Sequence, residues 1–381
     1  MVRGAAASLL LLALALRLPG LWTDFWLDEI WALNNVGSVQ SALGILTSIH
    51  HDSNHWLISL WMYVVGQDAA FWVYRLPSLV AGVLTVVVAG RLAVIERSDT
   101  RLAMFLVAIS FPLGFYSSEA RGYAVAACAS LGAFLCLLRW LDQGDRRWLA
   151  AHWCVASIGV LAHLSFVAVL GAEAVFLLAV ALDGHRGGWR FVLPLLGPLA
   201  VLGLLAVLDL RFLSLGGGPA LDVGRLLAEV GALSIGGPID SSWTPVLAAV
   251  GLAAVTLALW TTFRRAPGKY AQTGRLHWVF YGAVILLPLA AALAMRPPFL
   301  FPRYFLVSLV FVPMLMASAV AGSRRHLRSV VLGILVLLNR WSWVAFAGDG
   351  RGHYGAALHD MLAAAPGPVT AASDHSFRTS T

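Results

Sequence analysis

Charge is scarce in this sequence: Asp, Glu, Lys and Arg make up 12% of 381 residues, against 60% hydrophobic ones, and mean hydropathy is +0.81. So much apolar surface cannot be hidden in a water-soluble core, which excludes a soluble domain and points to a polytopic membrane protein. Cysteine is also rare. Cys128, Cys136 and Cys154 all lie inside apolar segments, so they read as small packing residues, and neither a disulfide framework nor a zinc motif is present. Lys269 stands alone against 25 arginines, a bias that says little about chemistry. The formal net charge is +7, but the basic residues fall in short clusters between apolar stretches. They form no continuous basic face, which excludes nucleic acid as a partner. No internal repeat is visible.

What the chain has in abundance is long hydrophobic runs. Given ~20 residues per crossing, segments 4–22, 71–95, 102–117, 122–140, 148–163, 165–182, 191–210, 244–262, 276–295, 304–322 and 329–346 predict about eleven transmembrane helices. The start, Met1-Val2-Arg3 followed by an Ala/Leu run with Ala13-Leu14-Ala15, has the look of a secretory signal. It reads here as an uncleaved first helix, because the most suggestive polar motif follows directly.

With the N-terminus cytoplasmic, the connectors on that side hold Arg91, Arg97 and Arg101; Arg139, Arg146 and Arg147; Arg186 and Arg190; Arg264, Arg265, Lys269 and Arg275; and Arg324, Arg325 and Arg328. With Arg3 these are 16 of the 26 basic residues, against the five acids Glu96, Asp99, Asp142, Asp145 and Asp183. That is the positive-inside pattern of an inner or plasma membrane protein. The apolar stretch 55–65 is about half the length of a crossing. It reads as a helix at the outer interface, beside a first short helix near 29–46. The first outer loop is then about 23–70, long enough to be functional. Residues 1–346 form one membrane module, and 347–381 a short outer tail too small to carry chemistry of its own.

Polar residues gather on the outer face: Asp28 and Glu29; His50, His51, Asp52 and His55; Arg75 before Leu76-Pro77-Ser78; Glu119 and Arg121; Arg303 and Tyr304. Each has a plain alternative. Asp28 and Glu29 suit a helix start, Arg75 suits a snorkelling helix end, and the histidines lack a recognised zinc spacing, leaving the use of a divalent cation open. Glu173 in mid-membrane needs a partner or a polar cavity; Arg17, Asp209 and Arg340, nearer segment ends, are expected to snorkel. Outward-facing acids and arginines beside lipid fit transfer of a sugar from a lipid-linked phosphate to a hydroxyl. A carboxylate takes the acceptor's proton, and guanidinium groups receive the departing phosphate. A glycoside hydrolase would need a second, separately placed carboxyl as acid.

At these residues the chain resembles the polyprenyl-phosphate-sugar-dependent GT-C glycosyltransferases, in particular bacterial relatives of protein O-mannosyltransferases and the aminoarabinose transferase of lipid A. The ordered series covers roughly residues 5–345: Asp28-Glu29, Asn54-His55 before an apolar helix, Arg75-Leu76-Pro77-Ser78, Ser117-Ser118-Glu119-Ala120-Arg121, and Arg303-Tyr304. Trp56 and Leu57 stand where the family has prolines, and Ser118 where it commonly has glutamine. The resemblance implies an all-α GT-C fold, with Asp28 as the catalytic carboxylate and Glu29 positioning it or the acceptor. Arg75, Arg121 and Arg303 would meet the phosphate, and His55, Glu119 and Tyr304 would lie at the substrate. It implies a polyprenyl-phosphate-linked sugar donor, a lipid, glycan or protein acceptor, and an inverting transfer at the outer face. The rival readings are a transporter or flippase, which would use buried charge along a permeation route, and an outer-face acyltransferase, which would depend on His50, His51 or His55.

Overall fold

The computed structural model describes residues 2–183, 188–214, 217–239, 241–265, 276–351, 359, 360 and 363. Of the expected cytoplasmic cations, Arg186, Lys269 and Arg275 lie outside the described residues, as does most of the tail expected over 347–381.

The described chain is all helix apart from turns and one isolated bridge between His51 and Ser214. Helix α1 (Val2–Arg17) leads into the long connector expected as the first outer loop, which carries α2 (Leu27–Gly37), α3 (Gly44–Thr47) and α4 (Trp56–Val65). There follow α5 (Phe71–Ile95), α6 (Thr100–Ile109), α7 (Phe111–Phe115), α8 (Tyr123–Gln143), α9 (Arg146–Ala162), α10 (Val167–Leu182), α11 (Leu193–Leu208), α12 (Val223–Ser234), α13 (Thr244–Arg265), α14 (His277–Met295), α15 (Leu306–Leu309), α16 (Phe311–Ala321) and α17 (Arg325–Asp349). The protein is multi-pass: among the described residues eight helices are long and apolar enough to cross a membrane, or ten if each of two bent pairs counts as one crossing. The difference from eleven falls on 148–163. There α9 has 17 residues, roughly 26 Å of helix, short of the ~30 Å hydrocarbon core, and opens on Arg146 and Arg147.

The sharper of the two bends has an identifiable cause. The segment expected as a single crossing over 102–117 breaks by 63° between α6 and the helices after it. Pro112 has no N–H for the carbonyl of Ala108, and the N–H of Phe111 turns to Asn339 Oδ1 at 2.7 Å instead of Val107. Arg17 fills the gap, donating to Ala108 O at 3.1 Å and Val107 O at 3.5 Å. It is fully buried, and so does not snorkel as expected. Asp209 is also buried rather than interfacial, accepting from Trp56 Nε1 at 2.5 Å and lying 2.7 Å from His50 Nδ1. Arg340 is exposed. Glu173 on α10 has the partner its depth demands, His152 Nε2 of α9, 3.1 Å from both carboxylate oxygens.

The core is aromatic at its centre. Phe134 of α8 stacks on Phe280 of α14 at 3.8 Å, edged by Phe176, Tyr281 and Phe311. Helix α8 packs between α5 and α9, and α10 against α14. This arrangement brings the loops 20–29, 50–55, 116–122 and 301–304 to one end of the bundle.

Candidate active site

Asp28 and Glu29 occupy the first turn of α2, where acidic side chains suit the helix dipole. Neighbouring residues on a helix project about 100° apart, so the two carboxylates part company at once. Glu29 turns inward and is fully buried. Arg75 grips it through Nε to Oε1 at 2.9 Å and Nη2 to Oε2 at 2.6 Å. The backbone N–H of Ala120 donates to Oε1 at 2.6 Å, and that of Trp26 to Oε2 at 3.3 Å. The remaining N–H groups of Arg75 reach the carbonyls of Gly20, Leu21, Thr23 and Asp24 at 2.6–3.1 Å. Arg75, expected at the phosphate, is thus buried with every donor engaged inside the protein. Its guanidinium ties Glu29 to the turn that follows the first crossing and leaves nothing for a ligand in this arrangement.

Asp28 faces the other way. Its Oδ2 lies 2.9 Å from Arg303 Nη2 and 3.6 Å from Arg121 Nη2, and its side chain stays partly open, at 16% exposure. Arg303 rests on the rings of Trp26 and Phe301 at 5.1 and 4.1 Å. Arg121 donates to the carbonyls of Asp28 and Ser53 at 3.2 and 3.3 Å. The Nε atoms of both arginines are buried without a hydrogen-bond partner.

His55 precedes the short apolar helix α4 as its N-cap and accepts from the N–H of Gly122 through Nδ1 at 2.7 Å, which leaves the imidazole proton on Nε2. Burial, and then the guanidinium of Arg121, hold it well below its usual value; His163 and Arg303 add to the effect. His163, unforeseen from the sequence, stands 4.6 Å from the His55 ring and 5.7 Å from that of Tyr304. Burial and the same two arginines bring it down to about 3. Both rings are neutral at physiological pH. Glu119 is buried, with Oε1 3.4 Å from Arg351 Nε. Arg351 was also unforeseen, lying in the expected tail, where no spacing marks it.

The electrostatic sense of the cluster is positive: Arg75, Arg121, Arg303 and Arg351 meet Asp28, Glu29 and Glu119, with two neutral imidazoles alongside. Such a site suits an anion approaching Arg121 and Arg303 beside one reachable carboxylate. The histidine-rich segment is arranged differently: His50 turns to Asp209 and His51 to Asp52 at 3.0 Å. Among the described residues no three His, Cys, Asp or Glu side chains converge as metal ligands.

No protein-family model matches the sequence, and no curated protein matches it. The structure is similar to the apo crystal structure of ArnT from Cupriavidus metallidurans, with a TM-score of 0.60 and 14% identity over 87% of this chain. The chain spans 62% of the length of that protein. At that identity the likeness speaks for architecture: this is a polytopic chain with the GT-C fold of ArnT.

Proposed function

We propose that the protein is a membrane glycosyltransferase, moving a sugar from a polyprenyl-phosphate donor to a hydroxyl of a lipid, glycan or protein acceptor at the outer face of the membrane. The observation that carries this reading is the placement of Asp28, a partly open carboxylate, between Arg121 and Arg303, each with an unpartnered Nε. The donor's phosphate draws both guanidinium groups toward itself, because a phosphate dianion or diester competes well with one carboxylate for bidentate donors. Asp28 is then released to accept the acceptor's proton as its oxygen attacks the anomeric carbon. The C–O bond to the phosphate breaks, the lipid phosphate leaves as an anion needing no acid, and Arg121 and Arg303 receive the developing charge. One displacement of this kind inverts the anomeric centre. Glu29 and Arg75 hold the α2 turn on which Asp28 sits, and His55, Glu119 and Tyr304 surround the sugar or acceptor. The membrane body over 1–346, joined by Arg351 just beyond it, is the working module, with its N-terminus in the cytoplasm.

Purified protein in lipid nanodiscs, incubated with a panel of polyprenyl-phosphate sugars and membrane lipids, is expected to add a hexose- or pentose-sized mass to an acceptor. Asp28→Asn should lower that transfer by about 10²–10⁴-fold, the usual worth of a general base, with abundance and thermal unfolding unchanged. Full activity in Asp28→Asn rejects the base, and vectorial movement of a donor without a new glycosidic bond rejects the transferase.

A further inference from the structure

Two buried glutamates flank the site and are satisfied in very different ways. Glu29 takes four donors on its two oxygens. Glu119 is held at Oε1 by Arg351, while Oε2 is buried and meets no donor. An unpaired buried carboxylate oxygen is costly, and one kept in a well-packed turn points to a ligand that completes it.

Arg351 fixes which oxygen stays open. Its Nη1 donates to Gly20 O at 2.9 Å and Thr23 Oγ1 at 3.1 Å; its Nη2 donates to Phe115 O at 2.6 Å and Ser118 Oγ at 2.8 Å. The guanidinium also lies over the rings of Phe115 and Phe346, at 4.5 and 5.1 Å. With its donors spent on the end of the first crossing and the 115–119 turn, it cannot swing out to a ligand. It shares Gly20 O with Arg75, so the supports of Glu29 and Glu119 meet at one carbonyl.

Building on the glycosyltransferase reading, we infer that Arg351 is a positioning residue: it locks Glu119 by one oxygen so that Oε2 accepts a hydrogen bond from a hydroxyl of the donor's sugar. Acceptance of that hydrogen requires the ionised carboxyl. Burial pushes Glu119 up to about 7, opposed by Arg351, pushed further by Glu29, and opposed again by Arg303 and Arg121; the Tyr116 hydroxyl also faces it.

The test has a readout that needs no substrate. Infrared titration of the protein in nanodiscs, with the Glu119 carboxyl band identified by its loss in Glu119→Gln, is expected to show a midpoint near 7 in wild type. In Arg351→Met the midpoint should rise by roughly one to three pH units, the usual effect of removing an adjacent opposite charge. Arg351→Lys, which retains a cation, should return it toward wild type and guards against misfolding of the methionine variant. The acid limb of kcat/KM for sugar transfer should follow the band, moving up in Arg351→Met and vanishing in Glu119→Gln. An unmoved band in both Arg351 variants overturns the coupling; a moved band with an unmoved acid limb overturns the sugar contact. A moved band in a protein that transfers no sugar overturns that contact together with the glycosyltransferase reading, while the coupling stands.

Discussion

At the scale of single residues, the adjacent acids serve opposite ends. Glu29 and Arg75 form a pair of zero exposure, so Arg75→Met, which strands the carboxylate, is expected to cost roughly 3–5 kcal/mol. Arg75→Lys should restore little, since an ammonium cannot serve two carboxylate oxygens and four carbonyls at once. Thermal unfolding in detergent checks both, and a midpoint within a degree of wild type in Arg75→Met would remove the pair from the scaffold. His163 gives a pH signature. Its pKa is about 3 when folded and 6.5 when free, so the unfolded chain binds the proton first as pH falls. Stability from this residue is therefore complete above about 6.5 and is lost progressively toward pH 3. His163→Gln should flatten that acid slope, measured as unfolding midpoint against pH; an unchanged slope would mean that the ring is solvated. The carboxylates and arginines of the site stood out in the sequence because acids and arginines are rare in an apolar chain. Their partnerships did not: nothing local says that Arg75 is saturated, or that Arg351 reaches Glu119 across 232 positions.

At the scale of elements, the site depends on how closely two helix ends meet. The start of α8 and the end of α9 touch at Gly122, where a Cβ would collide with the carbonyl oxygen of Ala162 and crowd His55 Nδ1. Gly122→Ala should thus push the two ends apart and break the Gly122–His55 hydrogen bond. An overpacking cost of about 1–3 kcal/mol is expected, along with loss of sugar transfer. Gly203→Ala on α11, where nothing lies within 4 Å of a Cβ, is the control and should leave both unchanged. Equal behaviour of the two variants would show that this contact does not shape the site. Most of the helices were legible, because unbroken apolar runs of about 20 residues admit few other readings. The sharp bends were not. Pro112 was visible as a residue, but whether a proline kinks or ends a crossing depends on who satisfies the freed carbonyls, and here that is Arg17, 91 positions from Ala108. The short helix α9, with 17 residues, falls just short of a full-length apolar crossing, and it is held along its length by α8, α11 and the His152–Glu173 pair, support that hydropathy, scoring a segment alone, does not register.

At the scale of the whole molecule, the geometry and the charge pattern make the same demand. Helix α8 starts beside His55 and His163 and runs 21 residues, about 31 Å, to Gln143, where Arg146 and Arg147 follow. The candidate site and this arginine cluster therefore lie at opposite ends of a membrane-deep helix. In the orientation proposed above, with positively charged connectors on the cytoplasmic side, Asp28 and its arginines would lie outside, at the level where a lipid-linked phosphate presents its sugar. Single cysteines separate this orientation from its inverse. In a background lacking Cys128, Cys136 and the exposed Cys154, Gln40→Cys on the connector between α1 and α5 and Asp142→Cys at the end of α8 both place a thiol on an exposed position. A membrane-impermeant maleimide applied to intact cells is expected to label Gln40→Cys at once and Asp142→Cys only after permeabilisation. The reverse order would put the site in the cytoplasm. A transferase there would have to draw on donors of the inner leaflet, and the outer-face reaction would be lost while the fold and the Asp28 cluster remained as described.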